Sequence, residues 1–144
     1  MRENPVLREV TLTLPMAPDM EVAASKTATA LAEFMRMSPE KVDEVRLAVV
    51  EACINAFEHS HSRDRRVRIT FAVIGAPEPE KLEITVQDAG VGFNRRHVEE
   101  PNIVEKIRST NKRGWGLKII EGLMDEVEID SGRNGTTVVM RKRR

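Results

Sequence analysis

The chain has 144 residues, the usual size of one domain, and its Lys plus Arg and Asp plus Glu counts are equal at 23 each. That balance provides no net field to draw nucleic acid or an anionic membrane, and 3% aromatic residues give no base-stacking platform. No apolar run approaches the roughly 20 residues that span a bilayer. The start, MRENPVLREV, lacks a signal-peptide core. A cytoplasmic single domain over 1–144, with no direct nucleic-acid or membrane partner, is therefore expected.

In chain order, Glu9 to Leu14 alternates apolar and polar residues, the period of a half-buried strand, and Pro15 ends it. From Pro18 to Met37, Ala24, Ala28, Leu31, Phe34 and Met35 recur at helical spacing. Ser38-Pro39 supplies an N-cap and a first-turn proline, so a second helix is predicted from Pro39 to about Glu58. Cys53 falls among its apolar residues and is read as a small core side chain.

Val67, Ile69, Phe71 and Val73, then Leu82, Ile84 and Val86, alternate with polar or small residues. They predict two antiparallel strands joined through Gly75 to Lys81. The irregular, charged stretch that follows predicts a lid over about 94–113. Leu117, Ile120, Leu123 and Met124 mark a third helix. Val127 to Ile129 and Thr136 to Arg141 form a closing hairpin across the turn Ser131 to Gly135. The basic end, Arg141 to Arg144, is read as a solvated tail. This order predicts an α/β (α+β) two-layer sandwich, a sheet covered by helices on one face.

Three motifs carry chemistry. In VVEACINAF, Glu51 and Asn55 are polar residues in an apolar helix, about 40° apart on its surface and one turn from each other. They must bond each other, a neighbouring strand, water, a metal or a ligand, because an unpartnered buried polar group costs a few kcal/mol, about 1–3. Asp88-Ala-Gly90-Val-Gly92 directly follows a strand; its glycines allow a sharp turn and leave a carboxylate that can accept from an exocyclic amine such as adenine's. Gly114-Trp-Gly116-Leu117 opens the third helix, where free N–H groups and the helix dipole suit phosphate, and Lys112 and Arg113 add positive charge. A Walker A loop is absent.

Taken in this order, the motifs resemble those of the GHKL, or Bergerat-fold, ATPases. Glu51-x-x-x-Asn55 is similar to their N box, Asp88-x-Gly90-x-Gly92 to the first glycine box, Gly114-x-Gly116-Leu117 to the second, and Gly135-Thr136-Thr137 to the closing G-T element. The resemblance covers nearly the whole chain. EACINAFEH and GLKIIEGLMDEVEI look most like the stand-alone bacterial anti-sigma-factor serine kinases.

The resemblance implies a mixed, largely antiparallel sheet and an ATP site. In that site Asp88 reads adenine, Asn55 holds Mg²⁺, Gly90, Gly92, Gly114, Gly116 and Leu117 shape the nucleotide cradle, and Thr136 faces the nucleotide. Lys112 and Arg113 neutralise phosphoryl charge, and Glu51 is the general base for a protein serine. It also implies partners: an anti-sigma-factor antagonist of the single-domain type, a sigma factor, and a second copy in a homodimer. Two alternatives stay open at this point, a switch kinase that binds no sigma factor and a non-catalytic ATP-binding module. His59 could lie near the phosphates or be structural, and Trp115 is assigned packing.

Overall fold

The computed structural model describes residues 5–60, 63–88, 116–132 and 135–144. In chain order they form β1 (Val6–Pro15), α1 (Met20–Phe34), α2 (Pro39–His59), β2 (Arg66–Gly75), β3 (Pro79–Asp88), α3 (116–123), β4 (Glu126–Gly132) and β5 (Gly135–Arg143). The sheet order is β1-β2-β3-β5-β4, and all four described pairings are antiparallel.

The period of two sets the core face of the strands, although β2 is buried on both faces from Phe71 to Gly75. Val10, Leu12 and Leu14 pair with Phe71, Ile69 and Val67, while Phe71 and Ile69 in turn pair with Ile84 and Val86. These residues share one face, and their core cluster includes Ala24, Ala28 and Ala32 of α1, Val45, Val49 and Ala52 of α2, and Ile120 and Met124 of α3. The helices thus cover one face of the sheet, as the alternation predicts. No helix among the described residues is long and apolar enough to cross a membrane.

α2 begins as its sequence predicts. Ser38 caps it, its Oγ accepting from Lys41 N at 3.3 Å, and Pro39 fills the first turn. α1 is shorter than its spacing suggests, ending at Phe34 rather than Met37. Arg36 takes a left-handed φ of 63°, which lets Met37 N donate to Ala32 O at 3.1 Å and closes the helix. Met35 and Met37 still reach the core after the helix has stopped.

The strands β2 and β3 run further into their connection than expected, leaving a turn of residues 76–78. A side chain at Gly75 would run into the carbonyl oxygen of Glu78, so only glycine fits there.

One expectation is overturned. The basic end is not a solvated tail, because β5 continues to Arg143 and the same alternation that buries Val138 and Met140 buries Lys142, opposite Leu82. On the outer face Arg141 donates to Glu83 at 2.9 Å, Glu126 at 3.2 Å and Glu128 at 3.1 Å, tying β3, β5 and edge strand β4 together. Charged residues on that edge also discourage pairing with another chain.

Candidate functional site

Four elements, α2, α3, β3 and β5, place the site. α2 carries Glu51 and Asn55 on the flank of its core-facing stripe, both half-buried. α3 brings Gly116 against them: a β-carbon there would stand 3.8 Å from Glu51 Oε2 and 3.9 Å from Asn55 Oδ1. Gly116, the first described residue of α3, therefore faces the carboxylate and the amide without a side chain between them.

The strand β3 supplies Asp88. It shares its parity with Leu82, Ile84 and Val86, so the carboxyl side chain points to the helix-covered face, at the end of the strand, with 6% exposure. Asp88 lines a cleft with Ala52, Asn55, Ala56, His59 and Ser60 of α2 and its C-cap, together with Val86, Thr136 and Val138. Val86 and Val138 are paired in register, and Thr136 lies two residues before Val138 on the same side of β5. The lining combines the apolar Ala52, Ala56, Val86 and Val138 with the carboxylate, amide and hydroxyl of Asp88, Asn55 and Thr136, a composition suited to a planar base with polar edges.

The structure thus brings Asn55, Asp88 and Thr136 to one cleft and sets Glu51 and Gly116 beside Asn55. Thr136 Oγ1 also lies 3.0 Å from Ser131 Oγ across the closing hairpin. Leu117 is half-buried in the first described turn of α3. His59, in the last turn of α2, lines the cleft with its Nε2 3.9 Å from Glu58 Oε2. Gly90, Gly92, Lys112, Arg113, Gly114, Trp115 and the expected lid over 94–113 lie outside the described residues.

Sequence reasoning missed several residues of the site. Ser60, the buried C-cap of α2, lines the cleft. Arg65 closes that helix end by donating to Ser60 O at 3.1 Å and Phe57 O at 3.3 Å, which places positive charge at the negative end of the helix dipole. The valines Val86 and Val138 were visible only as core. Their shared parity with Asp88 and Thr136 is the signal that assigns them to the cleft wall.

Cys53 lies between Glu51 and Asn55 on α2, about half a turn from each, and faces the core, where it is fully buried. Burial, with the Glu21 charge adding to it, pushes its thiol from 9.0 up to about 12. At pH 8 a maleimide should leave it unmodified in the folded protein and label it fully in denaturant. Fast labelling of the native state would place it elsewhere. Since the folded pKa is the higher one, the thiol's contribution to stability is complete below about pH 9 and is lost as pH rises toward about 12.

A cleft with a buried carboxylate on its wall, beside a glycine of α3 that approaches an acid–amide pair on a two-layer sandwich, has the chemistry of a nucleotide-binding class of protein. Comparison with known proteins agrees with that class. Residues 14–142 match the histidine kinase-like ATPase domain. The chain is 30% identical over 144 residues to the serine-protein kinase RsbW of Oceanobacillus iheyensis, covering 92% of this chain and 85% of that one. It is also 30% identical over 125 residues to the anti-sigma F factor of Clostridium acetobutylicum, covering 85% of each. Among solved structures, the RsbU and RsbW domains of Rv1364c from Mycobacterium tuberculosis superpose with a TM-score of 0.69 at 19% identity, over 94% of this chain and 32% of that one, a likeness of fold. The chain belongs to the histidine kinase-like ATPase domain family, on its serine-protein kinase branch.

Proposed function

We propose that the chain is an ATP-dependent protein serine kinase and anti-sigma factor, which phosphorylates a serine of a single-domain anti-sigma-factor antagonist and holds a sigma factor while that antagonist is phosphorylated. The observation that carries the kinase reading is the approach of Gly116 to Glu51 and Asn55. It supports a reading in which the Glu51 carboxylate stands beside a helix N-terminus that holds phosphate, where a general base would be needed. The names of the relatives, serine-protein kinase and anti-sigma F factor, support the two halves of the reading.

The residues fit the nucleotide. Asp88, buried at the strand end, would accept from the adenine amine, with Val86 and Val138 against the base and Thr136 at its edge. The N–H groups at the start of α3 would hold phosphate oxygens, because the first four of any helix lack partners within it. Asn55 Oδ1 would be the protein ligand for Mg²⁺, an oxygen of the kind that ion prefers. Gly90, Gly92, Lys112, Arg113, Gly114 and Leu117 complete the proposed cradle. Bound ATP supplies the phosphoryl group. Glu51 would orient the incoming serine hydroxyl and take its proton as that oxygen bonds the γ-phosphorus and the bond from the γ-phosphorus to the ADP oxygen breaks, so that ADP leaves. The resemblance carries the further expectations of a homodimer and a cytoplasmic location.

The test is transfer of label from γ-labelled ATP with Mg²⁺ to candidate single-domain antagonists, followed by capture of sigma factors on the immobilised chain. Phosphoserine on one antagonist and retention of one sigma factor, relieved by the unphosphorylated antagonist, are expected. Nucleotide binding without transfer to any antagonist would reduce the protein to a binding module, and transfer without sigma capture would leave only the kinase.

A further inference from the structure

The buried lysine of β5 sits at the far end of the helix whose start forms the proposed phosphate cradle. Lys142 is only 5% exposed. Its Nζ donates to Leu123 O at 2.6 Å and to Glu44 Oε2 at 3.2 Å. Leu123 ends α3, so its carbonyl is one of those that no partner within the helix can satisfy. A cation at that point also meets the negative end of the dipole.

The spacing is informative. Glu44 lies seven residues before Glu51 on α2, and Leu123 lies seven after Gly116 on α3. Seven residues make about two turns and about 10.5 Å, so each pair shares a helix face. α3 therefore runs antiparallel along α2 and is tied to it at two levels. At one, Lys142 joins Leu123 to Glu44; at the other, Gly116 lies over Glu51 and Asn55.

Neighbouring bonds anchor the first level. Arg143 N donates to Asp125 Oδ2 at 2.6 Å, Asp125 N donates to Arg141 O at 2.9 Å, and Lys41 Nζ donates to Arg144 O at 2.9 Å. The end of α3, the start of α2 and the end of β5 form one polar cluster. The Gly116 end has no comparable hydrogen bond of its own among the described residues; a β-carbon there would only touch Glu51 Oε2 and Asn55 Oδ1, at 3.8 and 3.9 Å.

The geometry points to Lys142, with Glu44, as a positioning pair for nucleotide binding: it sets the axial and rotational position of α3, and so aims the helix N-terminus at the phosphates. This rests on the reading of Gly116, Glu51 and Asn55 as the phosphate end of an ATP site. Lys142 touches no nucleotide. Its effect should fall on phosphate recognition alone, since Asp88 is carried by β3 and does not depend on where α3 sits.

The experiment compares Lys142→Met, Lys142→Arg and Glu44→Gln with the wild type. It reads Mg²⁺-dependent affinity for ATP and ADP, affinity for adenosine by competition, and the melting temperature. Lys142→Met is expected to weaken ATP and ADP about tenfold or more, the size of a lost charge-assisted hydrogen bond, and to leave adenosine within about twofold. Lys142→Arg, which can still donate to both partners, should recover most of the loss. Glu44→Gln keeps the Leu123 bond and should give a smaller loss of the same kind, which serves as the test if Lys142→Met does not fold.

A purely structural lysine would lower the melting temperature and reduce adenosine and ATP binding together, or leave both unchanged in the folded fraction. Either result overturns the proposal. Absence of adenine-nucleotide binding by the wild type would instead remove the underlying site, and this inference with it.

Discussion

Glu51→Ala should reduce phosphate transfer to a protein serine by about a hundredfold or more, within the 10² to 10⁴ range of a positioned general base, and leave ATP affinity unchanged or tighter. The two halves of that result have separate causes. Glu51 does not line the cleft formed by Asp88, Asn55 and Thr136; its carboxylate lies beyond Asn55, against the start of α3. Removing it deletes no contact to a base or ribose. It does remove a negative charge beside the place where phosphate charge gathers, so binding should hold or improve. Glu51→Gln, which keeps the shape and loses the basicity, should behave like the alanine variant. Transfer of label from γ-labelled ATP, measured beside calorimetric ATP binding, decides it. Transfer within threefold of wild type in either variant would remove Glu51 from the chemistry, and a parallel collapse of binding would make it structural.

Asp88→Asn should weaken adenine-nucleotide binding by about tenfold to a hundredfold and narrow the preference for ATP over GTP. A buried carboxylate that accepts from a ligand amine contributes about 1.5–3 kcal/mol, and at 6% exposure Asp88 has little water to weaken that bond. The effect on selectivity follows from donor and acceptor inventories. A carboxylate can only accept, so it suits the amine of adenine and repels the carbonyl that guanine carries in the same place, whereas an asparagine amide can donate to that carbonyl. The substitution is nearly isosteric, which keeps the end of β3 intact. Titration of both nucleotides into both proteins is the measurement. Unchanged ATP affinity would mean that the cleft does not read adenine through Asp88.

These two residues were reachable from sequence for different reasons. Glu51 stood out because helical period placed one carboxylate and one amide in a run of apolar side chains. Asp88 stood out because it ended an alternating strand just before glycines. Strand parity also gave the core face of β2, β3 and β5, and Ser38-Pro39 gave the start of α2. What failed was also local. α1 stops early because Arg36 adopts a left-handed conformation that no glycine announced. The end of β5 was read as a tail because four basic residues in a row outweighed the alternation that Lys142 continues from Val138 and Met140.

By itself, then, the sequence determined the elements and the faces on which Glu51, Asn55, Asp88 and Thr136 stand, since periods of 3.6 and 2 are properties of neighbouring residues. Only the tertiary structure decided that Gly116 closes over Glu51 and Asn55, and that Lys142 reaches across to Leu123 and Glu44. Those contacts join residues far apart in the chain, and they exist because α3 docks antiparallel to α2 over a shared core. Such an arrangement depends on how the helices pack against the sheet, and no local period encodes it.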